Sequence, residues 1–213
     1  MEYVVSKKWE RLMDEATTAM QDRNYSEAGR LLKKALPLAE KSGDALDRFE
    51  TLTALGCALA AGTEKKQAEG VFCRALAFTF LSDELGVEQF GTCTASLANV
   101  YFDLERFDES RTTALKALEI LDSTNLEDRT MALMPIETLI KLNLRLNEYE
   151  EAAALMSSAV SLLERYPSPQ KAIFIPALAK RAAQIPESIR RSYEAKWGIL
   201  QQETVMPVLS GSR

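Results

Sequence analysis

Residues Leu97–Leu121 read "LANVYFDLERFDESRTTALKALEIL", two runs of helical apolar periodicity separated at "LERFD". Ala98, Ser110, Ala114 and Ala117 fall where a helix facing an ordinary core would gain more from a larger side chain, because each buried methylene contributes about 0.8 kcal/mol. Small residues at such positions mark a place where a second backbone comes close. Whether this is a local accident or a building rule depends on whether the spacing recurs.

It recurs three times. Beside "RFDESRTTALKALEIL" stand "NYSEAGRLLKKALPLA" from Asn24, "KKQAEGVFCRALAFTF" from Lys65 and "EYEEAAALMSSAVSLL" from Glu148. Tyr25, Phe107 and Tyr149 open three of these stretches, with Lys65 in that place in the remaining one. Three residues on comes a small residue (Ala28, Ala68, Ser110, Ala152), and seven further comes alanine (Ala35, Ala75, Ala117, Ala159) followed by Leu36, Leu76, Leu118 or Val160. Successive steps between the first small residues are 40, 42 and 42 residues. The preceding halves repeat as well: Leu12 with Ala16, Leu52 with Gly56, Thr94 with Ala98 and Ile136 with Ile140 keep a four-residue spacing, which puts each pair on one helix face. A repeat of about 40 residues made of two helices is the signature of a stacked array. Each first helix is predicted to cross its own second helix at the small residues.

Turn chemistry punctuates the array. "KSGD" ends the first unit, with Gly43 suited to a left-handed cap. In "AAGTE", Gly62 separates two helices and Thr63 is placed to cap the next. "ELGVE" and "DSTNLED" close the second and third units, and "RYPSPQ" the fourth, where Ser168 before Pro169 reads as an N-cap followed by proline at the first helical position. Pro135 either kinks the first helix of the fourth unit or lies near its start. Beyond Pro167 the register decays into two further helices, the first interrupted or kinked at Pro176, with Leu178 and Ala182 keeping the paired spacing. "MEYVVSKKW" either starts the first helix early or packs as an extra segment. No strand-like alternation occurs. The predicted fold is all-α: a right-handed α-solenoid of helix-turn-helix repeats with C-terminal capping helices. Its boundaries are one domain over 1–204, with repeats at 9–44, 45–86, 87–125 and 126–166, a degenerate fifth unit at 168–204 and a flexible tail at 205–213.

The 213 residues are 46% hydrophobic and 27% charged, the make-up of an ordinary globular protein. A net charge of −5 sets a repulsive field against a phosphate backbone, which argues against nucleic acid as a partner. No apolar run reaches the roughly 18 residues of a membrane span, so no membrane insertion is expected. The N-terminus turns charged at once, unlike a secretory signal. A cytoplasmic location is the expectation. Cys57, Cys73 and Cys93 show no CxxC pairing and read as small buried apolar side chains, a redox-sensing thiol being the alternative. With no histidine to complete a ligand set, no metal and no cofactor is expected.

The helix hairpins resemble tetratricopeptide repeats. "LANVYFDLERFDESRTTALKAL" carries the resemblance best, "LTALGCALAAGTEKKQAEGVFCRAL" nearly as well, and "LMDEATTAMQDRNYSEAGRLLKKAL" follows. The fourth unit departs from it at Ile140, where a small residue is usual. The resemblance spans Trp9 to Arg165, and units longer than the usual 34 residues resemble the long-repeat, kinesin-light-chain-like branch.

Catalytic chemistry finds no footing in the sequence. Histidine is absent, so serine or cysteine nucleophiles lack their usual base. No phosphate-cradling glycine motif occurs. The carboxylates of "EYEE" and "NLED" fall at predicted helix starts, where they favour the helix dipole. The protein is expected not to be an enzyme.

The resemblance implies a concave groove lined by the first helices, where a protein or peptide partner lies. Carried onto this sequence, its positions are Met13, Thr17 and Met20; Thr53, Cys57 and Ala60; Ala95, Asn99 and Phe102; and Glu137, Lys141, Leu144 and Arg145. An asparagine at the Asn99 position can grip a peptide backbone through donor and acceptor together, or serve as an ordinary helix-surface amide. Phe102 is an apolar anchor or a core residue. Lys141 and Arg145, four apart, can hold a carboxylate or stand solvated. Met13, Thr17, Thr53 and Cys57 carry no charge, so the carboxylate clamp of chaperone-binding relatives is missing. The expected function is a non-enzymatic adaptor that binds a peptide or helical segment. The alternatives are a self-associating scaffold, making the protein a homo-oligomer, and a regulatory subunit that senses a peptide and acts on an enzyme or transcription factor.

Overall fold

The computed structural model describes residues 2–79, 85–123, 129–166 and 171–200. Among these residues it contains ten α-helices, two short 3₁₀ turns and no strand. The helices are α1 (Glu2–Gln21), α2 (Tyr25–Ser42), α3 (Ala45–Ala61), α4 (Lys65–Thr79), α5 (Val87–Asp103), α6 (Phe107–Asp122), α7 (Leu133–Arg145), α8 (Tyr149–Arg165), α9 (Lys171–Ala182) and α10 (Glu187–Tyr193). They form the expected hairpins α1–α2, α3–α4, α5–α6 and α7–α8. By its contacts the chain divides into two compact units, Met1–Ile120 and Leu121–Arg213.

Within the first unit the small residues do what their spacing requires. Ala28, Ala35, Ala68, Ala75, Ser110 and Ala117 are all fully buried. The four-residue partners Leu12, Ala16, Leu52, Thr94 and Ala98 are buried with them. At the α5–α6 crossing the Ser110 hydroxyl donates to the Ala98 carbonyl at 2.9 Å, which brings the two helices within a hydrogen bond of each other. At the α3–α4 crossing Gly56 lies against the Phe72 ring. One continuous core runs from Leu12 through Leu31, Leu32, Phe49, Leu52, Leu59 and Phe72 to Leu97 and Val100.

Turns inside the hairpins share one geometry that the sequence did not announce. Arg23, Glu105 and Asn147 have φ of 58°, 59° and 61°, in the left-handed region. In each case the amide of the following residue reaches back to the carbonyl five positions earlier: Asn24 to Ala19 at 2.8 Å, Arg106 to Tyr101 at 2.9 Å and Glu148 to Asn143 at 2.8 Å. This is the double closure of a Schellman motif, built here without glycine. Gly43, between α2 and α3, takes φ 82° as expected. The α3–α4 turn differs. Glu64, not Thr63, holds the cap position of α4, since its carbonyl accepts from Gln67 and Ala68. The next helix therefore starts one residue later than the Thr63 reading placed it.

In the second unit, a 3₁₀ turn over Thr130–Ala132 leads into α7, and Pro135 is the third residue of that helix. There its missing N–H is one of those with no intrahelical partner, so α7 loses nothing. Ile136, Ile140, Ala152, Ala159 and Val160 are buried at the α7–α8 crossing. The α9 helix runs on through Pro176, and Leu178 and Ala182 face its core. The stretch after Pro186 is not one helix: α10 passes into a 3₁₀ turn, Glu194–Trp197. Trp197 is buried and its indole N–H donates to Ser157 of α8 at 3.0 Å, which fastens the terminal segment. At the other end, α1 begins at Glu2, so the N-terminal residues extend the first helix. The Ser168–Pro169 cap, "NLED" and the tail 205–213 lie outside the described residues.

Gly56→Ala tests the crossing. An interior helix position gains about 1 kcal/mol from alanine over glycine. A Cβ at Gly56, however, would stand 2.7 Å from two ring atoms of Phe72, whose side chain is fully buried and has no solvent to swing into. Overpacking should win, with a net loss of about 1–3 kcal/mol read as a lower urea midpoint at unchanged slope. Stability equal to or above wild type would show that the helices are not in close contact there.

Candidate partner-binding surface

The first helices α1, α3 and α5 are tied to one another before they can present anything. Trp9 of α1 donates its indole N–H to Thr51 of α3 at 2.8 Å, and the buried Thr51 hydroxyl donates to the Asp47 carbonyl at 2.7 Å. The two residues lie 42 apart, two more than the 40-residue step between these units, so the brace joins non-equivalent positions. Met13 packs beside this brace, its sulfur 3.8 Å from Thr51 Oγ1. Further pairs join successive hairpins at their outer ends: Lys65 with Asp103 at 2.8 Å, Arg106 with Glu69 at 2.6 Å, and Arg74 with Glu40. Arg106 also binds Glu109, lies over the Tyr101 ring at 4.5 Å and holds the Glu109 carboxyl below its ordinary pKa through that hydrogen bond.

Each residue carried over to the groove can now be placed. In the first unit, Met13, Met20, Cys57 and Ala60 are half-buried and pack on the core while keeping part of their surface open. Thr17 is exposed, but its hydroxyl turns back to the Met13 carbonyl at 2.9 Å. Thr53 is half-buried, and its Oγ1 is buried without a hydrogen-bond partner among the described residues. Asn99 and Phe102 are half-buried, and the Phe102 ring packs on Phe107, the aromatic that opens α6, at 5.9 Å between centroids. Ala95 is a correction. It is 1% exposed and belongs to the core, because α5 is buried at seven positions spread over more than one face. In the second unit Glu137, Lys141 and Leu144 are half-buried and Arg145 exposed. The Glu137 carboxylate is held by Arg181 of α9 at 2.6 Å, so it braces the fold in this state. Sequence reasoning missed that pair. Its only trace was an acid on α7 and a base on a helix read as a cap.

The cysteine reading holds for one of three. Cys93 is buried, Cys57 half-buried and Cys73 exposed on the outer face of α4. Burial pushes the Cys93 thiol up to about 12, and raises Cys57 and Cys73 by the same cause. A depressed pKa is what makes a thiol reactive, so none of the three has the electrostatic setting of a nucleophile. Among the described residues no cluster of three acidic or thiol groups is arranged to hold a metal ion. No described helix is long and apolar enough to cross a membrane.

Comparison with known proteins agrees with this geometry. Neither protein families nor curated proteins give a match to the sequence. Solved structures do. A Podosopora anserina protein described as a putative kinesin light chain of nearly identical TPR-like repeats superposes with a TM-score of 0.67 at 15% identity, over 97% of this chain and 99% of the other. A single-substitution variant of that protein gives 0.67 at 16%, over 92% and 95%. BtubC (BKLC) from P. vanneervenii gives 0.66 at 14%, over 100% and 94%. The chain has the TPR-like repeat fold, an all-α solenoid of helix hairpins. Identities this low extend the likeness to the fold and no further.

The buried thiols give a pH prediction. An unfolded chain ionises its cysteines from about pH 8.5. The folded state keeps the Cys93 proton to about 12. Across that window the native state binds more protons, so stability must fall as pH rises. Urea unfolding at about pH 7, 9 and 10.5, spanning the ordinary thiol range, should show this decline, and Cys93→Ala should make it shallower. Identical slopes for both proteins would mean that Cys93 is not shielded.

Proposed function

We propose that this protein is a non-enzymatic adaptor that binds a peptide or helical segment of a partner protein on the faces of its first helices. The observation that carries the reading is the set Met13, Met20, Cys57 and Ala60. These are small or flexible apolar side chains on successive first helices, anchored in the core at one end and open at the other. Methionine adapts to irregular apolar ligands, and a row of such positions suits the apolar face of a helix. Asn99 and Phe102 extend the row on α5. Lys141, Leu144 and Arg145 are the matching positions on α7 of the second unit and suit a more polar segment. The chain's lack of histidine supports a binding role over catalysis. The similar structures described as kinesin light chains support a protein partner, and the uncharged Met13, Thr17, Thr53 and Cys57 disfavour one held by its C-terminal carboxylate. A location in the cytoplasm fits this role.

A second reading has one observation of its own. Ile173 on α9 is 73% exposed, a large apolar side chain that a second copy could cover.

The test is affinity capture from native lysate, identification of the retained protein, and measurement of its binding segment against wild type and an Asn99→Ala, Phe102→Ala, Lys141→Glu variant of matched helicity. The variant should bind at least tenfold more weakly, about 1.4 kcal/mol. Equal affinity would remove the groove from consideration. Recovery of the chain alone, as an oligomer by light scattering that Ile173→Lys dissociates, would establish self-association instead.

A further inference from the structure

We propose that the C-terminal unit carries a separate site for a phosphomonoester, presented as a phosphorylated serine or threonine of a partner segment. The site is a cleft of about 700 Å³ between α8 and the end of α10 with the turn that follows it. Ser157, Ser158, Ser161 and Arg165 line it from α8, and Tyr193 and Lys196 from the opposite side. Ser157, Ser161 and Arg165 are spaced by four, so they share one helix face.

The cleft carries positive charge that no acid of its lining offsets, a state Arg23, Arg48 and Arg190 share elsewhere but without a second cation and hydroxyls lining the same cleft. Arg11, Arg30, Arg74, Arg106, Arg129, Arg181 and Arg191 are each held by a carboxylate. Arg165 and Lys196 are not: among the described residues neither has an acidic partner, and the cleft has no carboxylate in its lining. Each cation lies over an aromatic face instead, Arg165 at 5.5 Å from the Tyr166 ring and Lys196 at 5.6 Å from that of Tyr193. A ring steadies a cation without neutralising it or occupying its N–H donors. Two uncompensated cations lining one cleft, one from α8 and one from the turn after α10, match a dianion better than a single carboxylate.

The two walls are fixed before any ligand arrives. Trp197 donates to Ser157 at 3.0 Å, Ser157 donates on to the Ala153 carbonyl at 3.0 Å, and Tyr193 stacks on Trp197 at 5.4 Å. Ser158 bonds only loosely to the Ala154 carbonyl, at 3.3 Å, and Ser161 is exposed, so both hydroxyls can turn to an anion. A guanidinium, an ammonium and two hydroxyls supply enough donors for three phosphate oxygens. The apolar remainder of the lining, Ala154, Leu162 and the Tyr193 ring, leaves room for the residue that bears the phosphate.

Titration of the ¹⁵N-labelled full chain at constant ionic strength tests this. The probes are inorganic phosphate, a blocked Ala–phosphoserine–Ala peptide and its unphosphorylated counterpart. Shift changes should gather over 157–165 and 193–197, and the phosphopeptide should bind at least tenfold more tightly than either other probe. Arg165→Gln with Lys196→Gln, checked for unchanged thermal unfolding, should weaken it at least tenfold. Because a peptide can lose contacts for indirect reasons, Ser161→Ala is the second variant and should weaken binding two- to fivefold. Inorganic phosphate binding as tightly as the phosphopeptide would overturn the peptide-borne source. Equal binding of the unphosphorylated peptide, or no response to the double variant, would overturn the site.

Discussion

Close approach of two helix backbones is the constraint on which the structure rests. In the first unit Ala28, Ala35, Ala68, Ala75, Ser110 and Ala117 have no exposed surface because another helix lies over them. Packed helices ordinarily keep their axes about 8–10 Å apart, the distance being set by the side chains at the contact. Alanine, glycine and serine set the short end of that range. The large residues around them, Leu32, Leu52 and Phe72 among others, then fill the space between hairpins, where they form a core continuous from one repeat to the next. A repeat of this kind cannot bury its apolar face alone, so the rule governing each crossing also forces the hairpins to stack.

Turns and ion pairs answer to that packing. Arg23, Glu105 and Asn147 occupy left-handed backbone at a cost of about 1–2 kcal/mol each. The last carbonyls of α1, α5 and α7 gain amide partners in return. A helix cannot run past the point where its partner must begin, so the crossing fixes where the chain turns and the conformation follows. The pairs Lys65–Asp103 and Arg106–Glu69 are partly exposed and contribute about 0–1 kcal/mol apiece. Their value lies in register, since each joins one hairpin to the next at a single offset.

How much the sequence disclosed follows from what periodicity encodes. Burial of the small residues, the helix pairs and the place of Gly43 were legible because each is a property of one helix face or one turn. Ala95 was misread because register names a face without saying how many neighbours cover it, and α5 is covered on more than one. Cys73 failed for the converse reason: residue type suggested burial, but its place on α4 is outside. Glu137–Arg181 and Trp9–Thr51 depend on rotamers reaching between hairpins, which no spacing rule contains. Thr63 missed its cap by one residue, within the ordinary slack of helix ends.

Recognition then depends on what packing leaves unused. At the crossings the small side chains are fully buried and substitution there is felt as strain. On the first helices of the N-terminal unit Met13, Met20, Cys57 and Ala60 pack on the core while staying partly open, and the proposed adaptor surface is built on what they leave open. Arg165 and Lys196 in the C-terminal unit are uncommitted in charge, steadied by rings that leave their donors open. An apolar row and a cationic cleft share no residue and respond to different forces. Added salt screens the second, which depends on exposed charge, far more than the first. A partner using both would therefore show an affinity that falls with ionic strength only until the cleft's share is gone, and then levels at the value the apolar row alone supports.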